Sequence, residues 1–388
     1  MNEIRFNIFA IFLIFAFLQG LIYSTLLLLR ARREGRKSDN WLALLILTVC
    51  VYNMPYMLGF MGIHILYQGL YFFPYGIELL IGPVILYFIK HQTNQQFQMK
   101  RADYYHFIPY FVYFGYHLAI CLCGDTYRDW WHEHIHQRFY IDKIELIASN
   151  LLPCIYLYWS WKWYQNYLKW LPNERSDTEQ SSFVWYRYFM LAIVIAILSA
   201  LVIGLVSLVW DLSFFQVWVQ RAFNGVIIYY LSIQGYHHYQ PKNLNFKREQ
   251  YPQLPESTPT ADVQEAEGKR DKLSSDELLY WKEQITQVLQ KEQLFLQPDI
   301  TLSALARRLD TNTSLVSYVI NTGFEKNFND FINEFRVQIF LQRVKEAAFS
   351  HYSLLSLAYD CGFNSKSTFN RAVKKITGQQ PSDFLTTA

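Results

Sequence analysis

The sequence has 388 residues, enough for two or three domains, and is 52% hydrophobic, 18% aromatic and 17% charged. These averages combine two unlike parts, because residues 6–237 carry nearly continuous apolar runs and residues 238–388 resemble soluble protein. A formal net charge of +3 does not by itself indicate a polyanionic partner, and five cysteines without a CxxC pair indicate neither a disulfide framework nor a zinc ribbon.

Long apolar segments fill the amino-terminal part of the chain. About 20 helical residues cross a hydrocarbon core of about 30 Å, because each residue rises about 1.5 Å. The first segment is too long for a signal peptide and ends in a basic cluster, so we interpret it as a retained helix. The sequence therefore predicts an all-α fold with about seven transmembrane helices within residues 1–238. The approximate spans are 6–29, 41–63, 70–89, 105–123, 141–162, 183–208 and 214–237.

Lysine and arginine residues are distributed unequally among the loops between these spans. Basic clusters follow the first, third, fifth and seventh spans, and the other loops hold only scattered basic residues. Because basic loops stay in the cytoplasm, seven spans place the N-terminus outside and the polar C-terminal part in the cytoplasm. The cluster residues are Arg30, Arg32, Arg33, Arg36, Lys37, Lys90, Lys100, Arg101, Lys162, Lys169, Arg175, Lys242, Lys247 and Arg248.

Two ionisable residues, Glu78 and Arg221, lie inside predicted spans. Charges within a bilayer are costly, and they generally face a bundle interior or a partner. Both residues are seven or eight positions from the outer end of their span, a depth of roughly 10–12 Å at the helical rise. We expect an intramembrane charge pair, and the sequence leaves open whether it fixes helix packing or switches.

The outer loop after the fourth span contains the sequence His132-Glu133-His134-Ile135-His136. It matches the HExxH motif, which on a helix offers two zinc ligands and a general base. A catalytic zinc also needs a third protein ligand, for which the sequence offers only Glu145. We therefore expect no metal and no other cofactor, and interpret the segment as an amphipathic stretch at the membrane surface. The secondary metal candidates are His132, His134 and His136.

Residues 239–275 differ sharply in composition from the spans before them. They contain four prolines and a charged stretch, and they lack the apolar residues that a core needs. The segment is typical of a flexible cytoplasmic linker. About 35 such residues have a root-mean-square reach of about 30–35 Å, so we expect the following domain to stay near the bilayer.

Residues 276–388 form the third predicted part, and they contain a first pair of short helices. Thr301 is a suitable cap for a helix with apolar residues at spacings of three and four. A turn at residues 310–312 follows, and a second helix begins at Thr313. Its apolar face is Leu315, Val316, Val319 and Ile320, and its polar face is Ser314, Ser317, Tyr318 and Asn321.

The same pattern occurs a second time. Ser353 can cap a short helix that ends at Cys361-Gly362, where glycine suits the left-handed conformation of a helix end. A helix restarts at Asn364 or Ser365, and Phe369, Val373 and Ile376 are predicted to be buried. Its polar face is Lys366, Ser367, Asn370, Arg371 and Lys374, with Ser365 at the start.

A longer helix, approximately residues 327–345, separates the two pairs. About 18 residues give about 27 Å, so two recognition helices at its ends would lie roughly one DNA turn (~34 Å) apart. Basic and hydroxyl side chains on such helices suit hydrogen bonding to phosphates and base edges in the major groove. The pattern indicates a double helix-turn-helix domain that binds double-stranded DNA.

The stretch from Leu279 to Phe384 resembles the DNA-binding domain of the AraC-type transcription regulators. The resemblance is carried by the segments Leu357-Ala-Tyr-Asp-Cys-Gly-Phe-Asn-Ser-Lys-Ser-Thr-Phe-Asn-Arg371 and Lys374-Lys-Ile-Thr-Gly-Gln-Gln-Pro-Ser-Asp-Phe384. It implies a seven-helix domain with two helix-turn-helix units and no enzyme activity. The base-contacting positions that it implies are Ser314, Ser317, Tyr318, Lys366, Ser367, Thr368, Asn370 and Arg371.

The order of membrane helices before such a domain is similar to membrane-bound AraC-like regulators of Bacteroidetes-type bacteria. This layout implies a one-component sensor in the bacterial cytoplasmic membrane, coupling a signal of unidentified chemistry to transcription. The expected partners are double-stranded DNA, the lipid bilayer and RNA polymerase, and a dimer is left open. The alternatives are an integral-membrane metalloenzyme using the HExxH match, and a passive membrane anchor on a constitutive DNA-binding domain.

Overall fold

The computed structural model describes residues 8–63, 72–74, 76–206, 210, 218–238, 244–246, 273–346 and 353–384. Over these ranges the chain is helical and contains no strand, which confirms the predicted all-α class. Most of the predicted linker, 239–275, lies outside the described residues. Contacts divide the chain into two units, residues 1–165 with 184–246 and residues 166–183 with 247–388. Residues 166–183, between two predicted spans, therefore group with the C-terminal residues.

The first unit is built mainly from long helices. Its shorter elements include a 3₁₀ helix at Arg101–Phe107 and a π-helical turn at His132–Gln137. The α-helices described in this unit are α1 (Ile8–Glu34), α2 (Lys37–Phe60), α3 (Glu78–Thr93), α4 (Ile108–Leu122), α5 (Asp125–Trp131), α6 (Ile141–Glu174, which continues into the second unit), α8 (Val184–Val206) and α9 (Trp218–His237).

Three described helices are long and apolar enough to cross a membrane: Ile8–Glu34, Lys37–Phe60 and Val184–Ile203. Helices α3 and α4 have 16 and 15 residues, which at about 1.5 Å per residue is shorter than a bilayer core of about 30 Å. Helix α2 ends at Phe60, before the end of the predicted span 41–63, and α3 begins at Glu78, after the start of the predicted span 70–89. Residues 70–71, 75, 207–208 and 214–217 of the predicted spans 70–89, 183–208 and 214–237 lie outside the described residues. The full set of seven spans stays a prediction.

Helices α1 and α2 approach closely because α1 has a stripe of small residues. Ala16, Gly20 and Ser24 are spaced four apart and are buried. A Cβ atom added to Gly20 would lie 2.3 Å from Cys50 Sγ of α2, so glycine is required there for this packing distance. Small residues at a helix interface are a common way to pack helices in lipid, where apolar surface alone gives little drive.

The second unit contains the C-terminal helices. Three of its helices begin at a side-chain cap that the sequence predicts: Thr301 accepts from the Ala304 amide at 3.1 Å, and Ser353 and Ser365 accept from the Ser356 and Thr368 amides at 3.1 Å. These caps confirm the predicted helix starts. The α-helices are α7 (Thr178–Ser181), α10 (Ser275–Glu292), α11 (Leu302–Arg308), α12 (Thr313–Tyr318), α13 (Phe328–Arg343), α14 (Leu354–Asp360) and α15 (Lys366–Thr377).

Helix α13 contributes to two separate hydrophobic clusters. Its first half packs Phe328, Phe331 and Ile332 against α10, α11 and α12. Its second half packs Val337 and Phe340 against α14 and α15. The predicted long central helix is thus observed, with one helix-turn-helix unit at each end.

The prediction for one core residue, Ile376, is wrong. The sequence predicts that Ile376 is buried with Phe369 and Val373, but its side chain is 41% exposed. It has the correct helical spacing, but it lies in the last turn of α15, past the edge of the cluster that buries the other two.

We predict that Gly362→Ala destabilises the domain far more than Gly378→Ala. Both glycines have left-handed backbone conformations, with φ of 89° and 76°, which cost other residues about 1–2 kcal/mol. At Gly362 the added Cβ would also lie 2.6 Å from the Phe295 carbonyl oxygen, whereas Gly378 has nothing within 4 Å. Urea unfolding of a fragment of residues 270–388, followed by circular dichroism, measures the difference. Equal decreases in the free energy of unfolding would contradict the role given to the clash between the added Cβ and the Phe295 carbonyl.

Candidate nucleic-acid interface

The first candidate recognition helix is α12. Asn312 caps it by accepting from the Leu315 amide at 2.8 Å, and Val316 is fully buried beneath it. The chain continues as a π-helical turn, Val319–Gly323. Of the predicted DNA contacts, Ser314, Tyr318 and Asn321 are exposed, and Ser317 is half-buried and accepts from the Asn321 side chain at 3.2 Å.

The second candidate recognition helix is α15. Phe369, Ala372 and Val373 anchor it in the second cluster. Its outer face is exposed at Lys366, Ser367, Arg371 and Lys374, and half-buried at Ser365 and Asn370. Thr368 differs from this pattern because it is only 6% exposed.

The charge on α15 is one-sided. Between Lys366 and Thr377 the helix has four basic residues and no acidic one. Lys375 is paired with Asp330 of α13 at 2.7 Å, which leaves the charges of Lys366, Arg371 and Lys374 on the outer face. A basic, hydroxyl-rich helix of this kind matches the phosphates and base edges of a major groove.

Glu179 lies directly against the start of α15. Its carboxylate accepts hydrogen bonds from the hydroxyls of Ser367 at 2.5 Å and Thr368 at 2.8 Å, and also from Ser365. Partial burial opposes ionisation of this carboxyl, but the three hydroxyls and the charge of Arg371 outweigh it and hold the pKa of Glu179 below its usual range. The carboxylate therefore contacts three predicted DNA-binding residues.

The residues before Glu179 are buried in the second unit. Ser176 is 1% exposed, its amide donates to the Ile300 carbonyl at 3.2 Å, and its own carbonyl accepts from Asn329 at 2.7 Å. Arg175 forms an antiparallel bridge with Thr301 and pairs with Asp177 at 2.7 Å. We refer to residues 175–179 as the docked segment. No periodicity or motif in the sequence indicated these contacts.

Arg336 of α13 connects the docked segment to the rest of the domain. Its guanidinium is 1% exposed and donates to the carbonyl of Phe295 at 2.7 Å, to that of Gln297 at 2.8 Å and to the Ser176 hydroxyl at 3.1 Å. Burial lowers the pKa of Arg336 to about 10, while Asp177 and Asp299 act in the opposite direction. The side chain therefore stays charged near neutral pH.

Two short helix pairs, a shared central helix and exposed polar recognition helices define a double helix-turn-helix DNA-binding domain. Residues 305–387 match the family described as "Helix-turn-helix domain", which is the AraC-type helix-turn-helix. The match supports a DNA-binding transcription regulator and a double-stranded DNA partner. Proteins with this domain are generally not enzymes. No curated protein and no solved structure matches the chain.

A second candidate site is a cavity of about 630 Å³ in the first unit, lined by both Glu78 and Arg221. Arg221 is 6% exposed, and its guanidinium carbon lies 3.7 Å from the ring centroid of Tyr56 and 4.4 Å from that of Tyr52. Among the residues that the structure describes, none accepts a hydrogen bond from Arg221 Nε or Nη1. A charge pair between Glu78 and Arg221 stays a prediction.

Each of the three histidines of the HExxH match has a different hydrogen-bond partner. In the π-helical turn His132–Gln137, the ring of His132 is hydrogen-bonded to Gln137, that of His134 to the Trp130 carbonyl and that of His136 to Tyr116, each at 3.0 Å. In the described part of the chain, no group of three or more His, Cys, Asp or Glu side chains is arranged to hold a metal ion. The HExxH match therefore gains no structural support.

Proposed function

We propose that this chain is a membrane-anchored, sequence-specific transcription regulator that couples a signal at the bacterial cytoplasmic membrane to transcription. The observation that carries the proposal is the exposed basic face of α15, presented by a double helix-turn-helix domain. Lys366 and Lys374 suit phosphate contacts, and Arg371 suits a bidentate contact with a base edge. The first recognition helix, through Ser314, Ser317, Tyr318 and Asn321, contributes hydroxyl and amide contacts.

Three apolar helices of membrane-spanning length support the anchoring. The seven-span arrangement, with the N-terminus outside, would put the DNA-binding domain in the cytoplasm. The cavity around Arg221 supports sensing, because Nε and Nη1 of this buried cation have no acceptor in the described part of the chain and are natural contacts for a ligand. RNA polymerase is the further partner that a regulator of this class needs.

We predict that Arg371→Ala weakens DNA binding by about 1–3 kcal/mol, because it removes a base contact. The measurement is a titration of a fragment, residues 270–388, against a duplex enriched from a random pool, repeated over a range of salt concentrations. The matched control is Lys291→Ala, which removes an exposed positive charge from α10. The control is expected to change affinity by less than about 0.5 kcal/mol. A fragment that enriches no sequence at any salt concentration would contradict the proposed function.

Exchange of residues 1–238 for an unrelated membrane bundle separates a sensor from a passive anchor. We predict that the chimera stays in the membrane but loses signal-dependent transcription of a reporter gene. The signal-dependent response is measured across growth conditions, beside the unaltered chain. Regulation that is unchanged by the exchange would show that the bundle only anchors a constitutive DNA-binding domain.

A further inference from the structure

We propose that the docked segment, residues 175–179, is an autoinhibitory element that must leave α15 before this helix can enter a major groove. The inference rests on the proposed DNA-binding function and adds the regulation of the same surface. It is drawn from the position of one carboxylate, Glu179, on the first turn of the second recognition helix.

Glu179 and DNA compete for the same hydrogen-bond donors on α15. Glu179 accepts hydrogen bonds from Ser365, Ser367 and Thr368, which are the donors that a DNA phosphate or base acceptor would use. A carboxylate and a phosphate cannot share these hydroxyls. The negative charge at the surface also repels the DNA backbone, so the docked state and the DNA-bound state exclude each other.

The docked segment is held by buried contacts with the rest of the domain. Ser176 and Asp177 are buried, and Arg336, Asn329 and the carbonyl of Ile300 hold Ser176 from three sides. The contacts are hydrogen bonds and an ion pair, with no large apolar side chain inserted. Water replaces these partners when the segment leaves, so each neutral hydrogen bond contributes only about 0.5–1.5 kcal/mol net, and each hydrogen bond to a charged group about 1.5–3 kcal/mol. The docking is therefore specific and reversible.

The docked segment is connected covalently to the first unit by helix α6. Helix α6 runs from Ile141 to Glu174 and ends immediately before Arg175. Its first 25 residues, 141–165, belong to the first unit and the remainder to the second, so one helix carries the docked segment. A shift or rotation of α6 would act directly on the position of Glu179.

The substitution that tests the proposal is Glu179→Gln in the full chain, reconstituted in lipid nanodiscs. Glutamine keeps the size of the side chain but removes the charge, and the Ser365 cap on the Thr368 amide stays in place. We expect DNA affinity to increase about tenfold or more, equivalent to about 1.4 kcal/mol. The matched control is Glu283→Gln, which removes an exposed acidic charge on α10 and is expected to leave affinity unchanged.

The DNA probe is a random pool of 40-base-pair duplexes, enriched in parallel on the unaltered chain and on the Glu179→Gln chain. Each enriched duplex is then titrated against both proteins and against the fragment 270–388, which lacks the docked segment. Equal affinities of the two full chains, or weaker binding by Glu179→Gln, would overturn the autoinhibition and leave DNA binding intact. Failure of both full chains to enrich any duplex would overturn the proposed function instead.

Ser176→Gln is a second substitution that is expected to release the docked segment from α15. Ser176 is enclosed by the carbonyls of Pro298 and Ile300 and by Arg336, so the larger side chain is expected to expel the segment. DNA affinity should again increase, by a factor similar to that of Glu179→Gln. Circular dichroism of both variants confirms that the helices persist. Unchanged affinity in a folded Ser176→Gln chain would also count against autoinhibition.

A separate observation supports a ligand site in the first unit, and we infer that the cavity around Arg221 binds a small organic acid with an apolar body. Arg221 is more than nine-tenths buried, and its donors Nε and Nη1 have no acceptor among the residues that the structure describes. Tyr52 and Tyr56 stabilise the cation through their rings and through side-chain hydrogen bonds, but neither tyrosine neutralises its charge. A carboxylate supplies both a charge and two acceptors to a guanidinium.

The rest of the cavity fits the remainder of such a ligand. Ile81, Ile193 and Ile227 supply apolar surface, while Glu78 and Asn224 offer hydrogen-bonding groups at the wall. A volume of about 630 Å³ accommodates a molecule of small-ligand size.

The probes are phenylacetate, hexanoate and octanoate, each paired with its neutral alcohol, added to the full chain in nanodiscs. We expect at least one acid, but not its alcohol, to raise the unfolding temperature, and Arg221→Gln to abolish the shift. Arg187→Gln is the control, because Arg187 does not line this cavity. Acids that shift both variants equally, or no acid that shifts the unaltered chain, would overturn the assignment.

Discussion

The buried guanidinium of Arg336 is the interaction on which the DNA-binding domain most depends. A charge removed from water must have its hydrogen bonds supplied by the protein, and here the carbonyls of Phe295 and Gln297 and the hydroxyl of Ser176 supply them. Because Arg336 needs these acceptors, it fixes the position of the loop between α10 and α11. It also places that loop against α13, the helix that both hydrophobic clusters share.

The same guanidinium explains how a short segment from between two predicted membrane spans can belong to the DNA-binding domain. Ser176 completes the coordination of Arg336, and the chain then extends far enough to bring Glu179 onto the start of α15. A polar site of this type tolerates exchange with water better than an inserted apolar side chain does. The arrangement therefore suits a contact that forms and breaks.

The helices of the first unit that are apolar enough to cross a membrane would follow different physics in lipid, which provides no hydrophobic drive for helices to associate. Close approach through Ala16, Gly20 and Ser24 gives α1 and α2 their packing. Arg221 is a buried cation beside a cavity, and its guanidinium lies over two tyrosine rings. The first unit thus contains a cavity with a buried cation, and its helix α6 continues into the second unit.

The sequence by itself determined the local features of this protein. Capping at Thr301, Ser353 and Ser365, the turn at Gly362 and the polar face of α15 depend on residues within one or two helical turns, so they were predictable. The exposure of Ile376 was not, because helical periodicity does not show where a neighbouring core ends. The lengths of the apolar helices in the first unit were also unpredictable in detail, since hydropathy does not show where a helix begins. Only the tertiary structure decided that Glu179 meets Ser367 across 188 positions of the chain, because hydrogen bonds between distant polar residues leave no periodic signal in a sequence.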